Sequence, residues 1–119
     1  MDIEKMVQIE ILYSQYASLL TPKQREIVSM YYEEDYSLGE ISQILNISRQ
    51  SVYDSLKRSE NSLKEYESKL GIVEKFKNIE NIVDKLAEKL EELSVYFDKD
   101  DAENSTQLKV LIEEIRELI

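Results

Sequence analysis

Apolar residues recur at intervals of three or four along nearly the whole chain, and this spacing predicts helices throughout. Within residues 3–20 the apolar positions Met6, Ile9, Tyr13, Tyr16 and Leu20 fall on one helical stripe, which is typical of a core-facing helix. The 119 residues include only two glycines and one proline, too few for the tight turns of a sheet-rich fold. The sequence therefore predicts an all-α protein.

Two capping boxes indicate where the next helices begin. Thr21 and Gln24 form the first, ahead of a helix expected over residues 22–34 with Pro22 at its first position. Ser37 and Glu40 form the second, ahead of a shorter helix. The first of these helices is expected to bury Ile27, Val28 and Tyr31, and the second contains Ile41, Ile44 and Leu45.

Residues 46–58, NISRQSVYDSLKR, have the spacing of the turn and second helix of a helix-turn-helix. Asn46 tolerates the left-handed backbone that such a turn requires, and Ser48 suits the N-cap of the helix that follows. We expect Ile47, Val52 and Leu56 to lie inward, together with Ile41 and Leu45 of the preceding helix, and to hold the two helices at a steep angle.

The side chains left facing outward on this second helix have the chemistry of DNA contacts. Arg49 can pair with guanine, Gln50 with adenine and Ser51 with either base, whereas lysine, arginine and tyrosine side chains can reach phosphates. The predicted DNA-binding residues are Ser48, Arg49, Gln50, Ser51, Tyr53, Asp54, Lys57 and Arg58. The alternative interpretation is that these are ordinary solvated residues on a structural helix.

A heptad pattern follows Gly71, the residue at which the helix-turn-helix region is expected to stop. Its predicted dimer or bundle core comprises Phe76, Ile79, Val83, Leu86, Leu90, Leu93 and Phe97. The segment DKDDAENS, residues 98–105, is expected to be a loop before a last helix over residues 103–119. The sequence thus predicts a helix-turn-helix domain over residues 1–70 and, over residues 71–119, a helical hairpin that forms a homodimer.

The residue types that are missing exclude several kinds of site. The chain has no cysteine and no histidine, so disulfides, Cys/His zinc sites and imidazole bases are excluded. The acidic run Glu33, Glu34 and Asp35 lacks calcium-loop spacing and a companion nucleophile, so we interpret it as a solvated helix end. We therefore expect no enzyme activity, metal or cofactor. Without a signal-peptide pattern or an apolar run of about 18 residues, a cytoplasmic protein with no membrane partner is expected.

Three segments in order, YYEEDYSLGEIS, ISRQSVYDSLKRSE and YESKL, resemble the YlxM-like family, small DNA-binding proteins of low-GC Gram-positive bacteria encoded beside signal recognition particle components. More broadly, LTPKQREIVSMYY through LKRSENSL is similar to the fourth conserved region of sigma factors. The resemblance covers about residues 1–70. Asn46 and Ser42 stand where sigma-like proteins often have Gly and Ala, and both residues are compatible with the fold.

The resemblance implies an all-α, dimeric protein with a sigma-like helix-turn-helix. It also implies a role as a regulator or accessory factor of the signal recognition particle pathway. The family motif carries over residue by residue, at Ser48, Arg49, Gln50, Val52, Tyr53, Asp54, Lys57 and Arg58.

The acidic character of the chain bears directly on DNA binding. Residues 1–70 carry 8 basic and 12 acidic residues and residues 71–119 carry 7 and 13, so both parts contribute to the net charge of −10. A protein with few cationic side chains releases few of the counterions condensed on DNA, so its binding to random DNA should be weak and salt-sensitive. Two functions remain open: a DNA-binding regulator, or an accessory protein whose acidic surface binds signal recognition particle RNA–protein components.

Overall fold

The computed structural model describes residues 2–119, and within this range the backbone forms helices and no strands. The six α-helices are α1 (Ile3–Tyr16), α2 (Pro22–Val28), α3 (Leu38–Leu45), α4 (Arg49–Leu70), α5 (Ile72–Ser94) and α6 (Lys99–Leu118). A 3₁₀ turn (Ala17–Leu19) follows α1, and a π-helical turn (Ser29–Glu33) extends α2. The prediction of an all-α fold is confirmed. None of the described helices is long and apolar enough to cross a membrane.

Hydrogen bonds at the helix ends match the capping signals in the sequence. Thr21 and Gln24 form one capping box and Ser37 and Glu40 another, each with both reciprocal bonds present. Gly71 ends α4 in the left-handed conformation, with φ 61°. These bonds satisfy backbone groups that a helix end would otherwise leave without partners.

The chain divides into two compact units, of which the first extends to Val73 and the second is Glu74–Ile119. In the first unit, α4 is the central helix, and its buried residues Val52, Leu56 and Leu63 pack with side chains from α1, α2 and α3. Fully buried Ile9, Tyr16, Ile27, Val28 and Ile41 belong to this core, as do the buried residues Leu12, Leu20, Met30 and Tyr32.

The π-helical turn changes which tyrosine is buried at the end of the second helix. We expected Tyr31 in the core, but Tyr32 is buried and Tyr31 only half-buried. Glu34 N donates to Ser29 O at 3.0 Å, a bond across five residues, not the four of an α-helix. The wider turn shifts the inward-facing position by one residue, so the expectation for Tyr31 was wrong.

The second unit is a pair of helices, α5 and α6, around a small core of Val83, Leu90 and Ile112. The expectation of a loop over residues 98–105 was wrong, because α6 already begins at Lys99. Asp98 and Asp101 form a capping box there, and the acidic residues of the first turn favourably oppose the positive end of the helix dipole. Helix α5, which contains most of the heptad pattern, ends at Ser94, so Phe97 lies in the connection that follows it.

Candidate nucleic-acid interface

The turn between α3 and α4 has the conformation that the sequence predicts. Asn46 adopts the left-handed conformation with φ 55°, and Ile47 N donates to Ser42 O at 3.1 Å, which closes the end of α3. Ser48 caps α4: its Oγ accepts from Ser51 N at 3.0 Å and donates to Ser51 Oγ at 2.8 Å. The Ser48 hydroxyl is therefore engaged in holding the start of the helix.

The first turns of α4 present polar side chains to solvent. Arg49, Gln50 and Ser51 are exposed, and none of them contributes to the apolar core. Of the remaining predicted DNA-contacting residues, Arg58 is exposed, Tyr53 is 45% exposed, and Asp54 and Lys57 are half-buried. The predicted set therefore lies on α4 and its N-cap Ser48 and is reachable from outside.

Gln50 is held in a defined orientation by a side chain one turn further along α4. Its Nε2 donates to Asp54 Oδ1 at 2.9 Å. One amide N–H and the amide oxygen of Gln50 remain for other partners, because an amide side chain has two donors and two lone pairs. That donor–acceptor pair is what adenine recognition in the major groove requires.

Arg49 lies against the start of α3. A Cβ atom placed on Gly39 would come within 2.9 Å of Arg49 Nη2, which is closer than two such atoms can approach. Because Gly39 has no side chain, the guanidinium group of Arg49 can occupy this space. The sequence contains the glycine, but its relation to Arg49 depends on contact between two helices.

A buried carboxylate organises the lysines beside this surface, and the sequence reasoning missed it. Glu60 is 6% exposed and accepts from the Tyr32 hydroxyl at 2.8 Å. Lys5 Nζ lies 3.7 Å from its Oε1, and Lys57 Nζ lies 3.9 Å from its Oε2. Lys57 also lies over the Tyr53 ring, 5.6 Å from its centroid.

These contacts shift the pKa values of the groups involved. Burial, and then the bond to Glu60, raise the pKa of the Tyr32 phenol. The contact with Lys57 and the attraction to Glu60 raise the pKa of Lys5. The contact with Lys5 lowers the pKa of Lys57. The one signal in the sequence was spacing, since Tyr53, Lys57 and Glu60 share a stripe of the helix, but nothing in it indicates that Glu60 is buried.

The structure places the predicted bundle residues in different environments. Val83 and Leu90 are buried, and Ile79 and Phe97 pack against them, whereas Phe76 is half-buried. Leu86 and Leu93 are 51% and 54% exposed. Among residues 2–119 no cluster of Asp and Glu side chains is arranged to hold a metal ion.

Residues 3–104 match a family described as "Putative helix-turn-helix protein, YlxM / p13 like" (UPF0122). The chain belongs to the UPF0122 family. The match reaches residue 104, well beyond the resemblance over about residues 1–70, and so includes α5 and the start of α6.

Several curated relatives in the UPF0122 family resemble this chain. A UPF0122 protein of Thermoanaerobacter sp. (strain X514) is 49% identical over 105 residues, which cover 88% of this chain and 85% of the relative. One from Caldanaerobacter subterraneus subsp. tengcongensis is 59% identical over 78 residues, covering 66% and 67% of the two chains. A third, from Listeria innocua serovar 6a, is 42% identical over 106 residues, covering 89% and 96%.

Proposed function

We propose that this protein binds duplex DNA in a sequence-dependent manner through the N-terminal half of α4 and acts in the cytoplasm as a regulator. The observation that carries the proposal is the exposed row Arg49, Gln50 and Ser51 at the start of the second helix of a helix-turn-helix. The orientation of Gln50 by Asp54 supports a role in base recognition, because it leaves a donor and an acceptor available on one amide.

Base contacts and phosphate contacts have separate assignments in this proposal. Arg49 and Gln50 read bases, whereas Lys57, Arg58 and the Tyr53 hydroxyl bind the backbone. Asp54 contributes by orienting Gln50 and also repels phosphates, which suits a binder with few non-specific contacts.

The experiment is selection of preferred duplexes from a randomised pool, followed by fluorescence anisotropy with the selected duplex at several salt concentrations. We expect Arg49→Ala and Gln50→Ala each to weaken binding by about tenfold or more, the equivalent of about 1–3 kcal/mol per bidentate contact. Gln43→Ala on α3 and Lys69→Ala at the far end of α4, both exposed positions, serve as matched controls that should leave the affinity unchanged. Undiminished binding by the double Arg49→Ala, Gln50→Ala variant would refute the assignment.

We further propose that the protein acts as a homodimer through α5 and α6. The buried residues Val83 and Leu90 occupy one heptad position of α5, and Leu86 and Leu93 at the other position stay exposed. On α6 the exposed apolar residues Leu108, Leu111, Ile115 and Leu118 recur at steps of three and four. An apolar surface of this regularity supports packing against the same surface of a second copy.

Sedimentation tests the dimer directly. The wild type at micromolar concentration should sediment at twice the 14.0 kDa chain mass, and Leu86→Glu with Leu111→Glu should sediment as a monomer. Val95→Glu is the control, because Val95 is 78% exposed and lies outside the helices. A wild-type monomer under these conditions would rule the dimer out.

A second function is supported by the acidic surface at the end of the π-helical turn. Glu33, Glu34 and Asp35 are all exposed, and such a surface complements a basic RNA-binding protein. In this version the protein is an accessory factor of the signal recognition particle, binding its RNA or its GTPases without sequence-specific DNA binding. Glu33→Lys with Glu34→Lys should then abolish binding to the reconstituted particle, and Arg49→Ala with Gln50→Ala should not. Particle binding that survives the charge reversal would exclude the acidic-surface interaction.

A further inference from the structure

A recess lies beside the recognition surface, within the first unit and between α1, the π-helical turn and α4. Its volume is 180 Å³. Met6, Leu38 and Leu56 form apolar walls, and the rings of Tyr31 and Tyr53 line it as well. Sites for drug-sized ligands occupy about 300–1,000 Å³, so this recess suits a molecule with a single ring.

The polar side of the recess contains two lysines and one carboxylate. Lys5 and Lys57 both line it, and Glu60, almost fully buried, lies between them. The ammonium-to-carboxylate distances of 3.7 and 3.9 Å exceed the about 2.7–2.9 Å of a charge-assisted hydrogen bond. Glu60 already accepts a closer bond from the Tyr32 hydroxyl at 2.8 Å. Neither lysine therefore has its hydrogen-bonding capacity filled by Glu60.

The two lysines also lie close to each other. Both ammonium groups lie beside the same Glu60 carboxylate, at 3.7 and 3.9 Å, and the proximity of Lys5 lowers the pKa of Lys57. Two cationic groups share one carboxylate, which leaves one positive charge in excess. A second anion beside them would relieve the repulsion between the like charges.

From the recess geometry we propose that it binds a small organic anion, with a carboxylate or phosphate group at Lys5 and Lys57 and a single aromatic ring between Tyr31, Tyr53 and the apolar walls. The aromatic and apolar lining favours an organic molecule over a phosphate of the DNA backbone, which would leave those walls in contact with water. Recognition requires both parts of the ligand, the charge and the ring.

The recess shares Tyr53 and Lys57 with the proposed DNA-contacting set, so an occupant would alter the position of both side chains and offset the charge of Lys57. This consequence rests on the proposed function: if the protein reads duplex DNA, the ligand changes its affinity for DNA. Ligand binding itself does not depend on the DNA proposal and is measured without DNA.

The test is an NMR titration of the ¹⁵N-labelled full chain with three probes: phenyl phosphate, inorganic phosphate and benzylamine. Phenyl phosphate should give saturable shifts at amides around the recess, with an affinity at least about tenfold higher than that of either other probe. Lys5→Met should weaken phenyl phosphate binding by about tenfold, and Tyr53→Ala should weaken it by removing a wall from an exposed position. Lys69→Met, an exposed lysine on the same helix, should leave it unchanged.

Each contrary result has a definite meaning. Equal or tighter binding of benzylamine would show that the negative charge of Glu60 dominates the electrostatic potential of the recess, and it would overturn the proposal. Inorganic phosphate binding as tightly as phenyl phosphate, and displacement of both by duplex, would identify a clamp for the nucleic-acid backbone instead. No saturable shift with phenyl phosphate, or unchanged binding by Lys5→Met, would also overturn it. The effect on DNA is measured separately, by adding phenyl phosphate to the wild type and to Lys5→Met in the presence of duplex. A change in duplex affinity in the wild type but not in Lys5→Met would show that ligand binding regulates DNA binding.

Discussion

The hydrogen bond between Tyr32 and Glu60 is expected to contribute substantially to the stability of the first unit. Both residues are buried, and the hydroxyl-to-carboxylate distance is 2.8 Å. A hydrogen bond to a charged group contributes about 1.5–3 kcal/mol, and its loss leaves a buried carboxylate short of a donor. Lys5 and Lys57 remain near the carboxylate and compensate in part. We therefore expect Tyr32→Phe to lower the free energy of unfolding by about 2 kcal/mol.

A double-mutant cycle separates this bond from the general cost of changing two buried residues. In a Glu60→Gln background the acceptor is neutral, and the same Tyr32→Phe change should cost only about 1 kcal/mol. The coupling energy between the two positions should then be about 1 kcal/mol. Tyr13→Phe is the matched control, because the Tyr13 hydroxyl donates to a neutral backbone carbonyl, Arg25 O, at 3.3 Å.

The assay is urea unfolding followed by far-ultraviolet circular dichroism at 25 °C, applied to the wild type, both single variants, the double variant and the control. Tyr13→Phe should cost less than about 1 kcal/mol. A Tyr32→Phe variant within about 0.5 kcal/mol of the wild type, or a coupling energy below that value, would refute the reasoning.

Three further predictions follow from the same core and turn. The contribution of Tyr32 to stability should be constant with pH up to about 10, the pKa of a free tyrosine, and should fall above it, because burial raises the pKa of folded Tyr32. The loss of stability above about pH 10 should therefore be shallower in Tyr32→Phe, and equal slopes would count against this origin. Asn46→Ala should lower the free energy of unfolding in urea by about 1 kcal/mol, whereas Asn46→Gly should leave it almost unchanged, because only alanine is strained at φ 55°. Equal losses in the two variants would contradict the turn geometry. Leu63→Ala should lower the free energy of unfolding by about 3 kcal/mol. Leu70→Ala, at an exposed position on the same helix, should change it by less than about 0.5 kcal/mol. Similar losses in the two variants would contradict the assigned core.

Local hydrogen bonds explain why much of the fold could be predicted from the sequence. The capping boxes at Thr21 and Ser37 and the left-handed turn at Asn46 involve residues no more than five apart, and all three form as expected. The start of α6 differs from the expectation although its signal is also local. The acidic residues after Asp98 suggest a loop, but Asp101 closes a capping box with Asp98 and begins the helix there.

Other features depend on contacts that the sequence pattern does not reveal. Tyr32 and Glu60 are separated by 28 positions, and the helical pattern alone placed Tyr31, not Tyr32, in the core. The π-helical turn that exchanges the two tyrosines has no distinct sequence signal. The guanidinium of Arg49 against Gly39 is likewise a contact between two helices, so its space requirement became visible only in three dimensions.

The most direct test of DNA recognition by α4 is an NMR titration of the ¹⁵N-labelled protein with the duplex recovered by selection. The largest shifts should fall on the backbone amides of residues 48–54 and on the side-chain amide of Gln50, which keeps one N–H available beside Asp54. Shifts confined to the second unit or to the acidic residues 33–35, with residues 48–58 unmoved, would contradict this prediction.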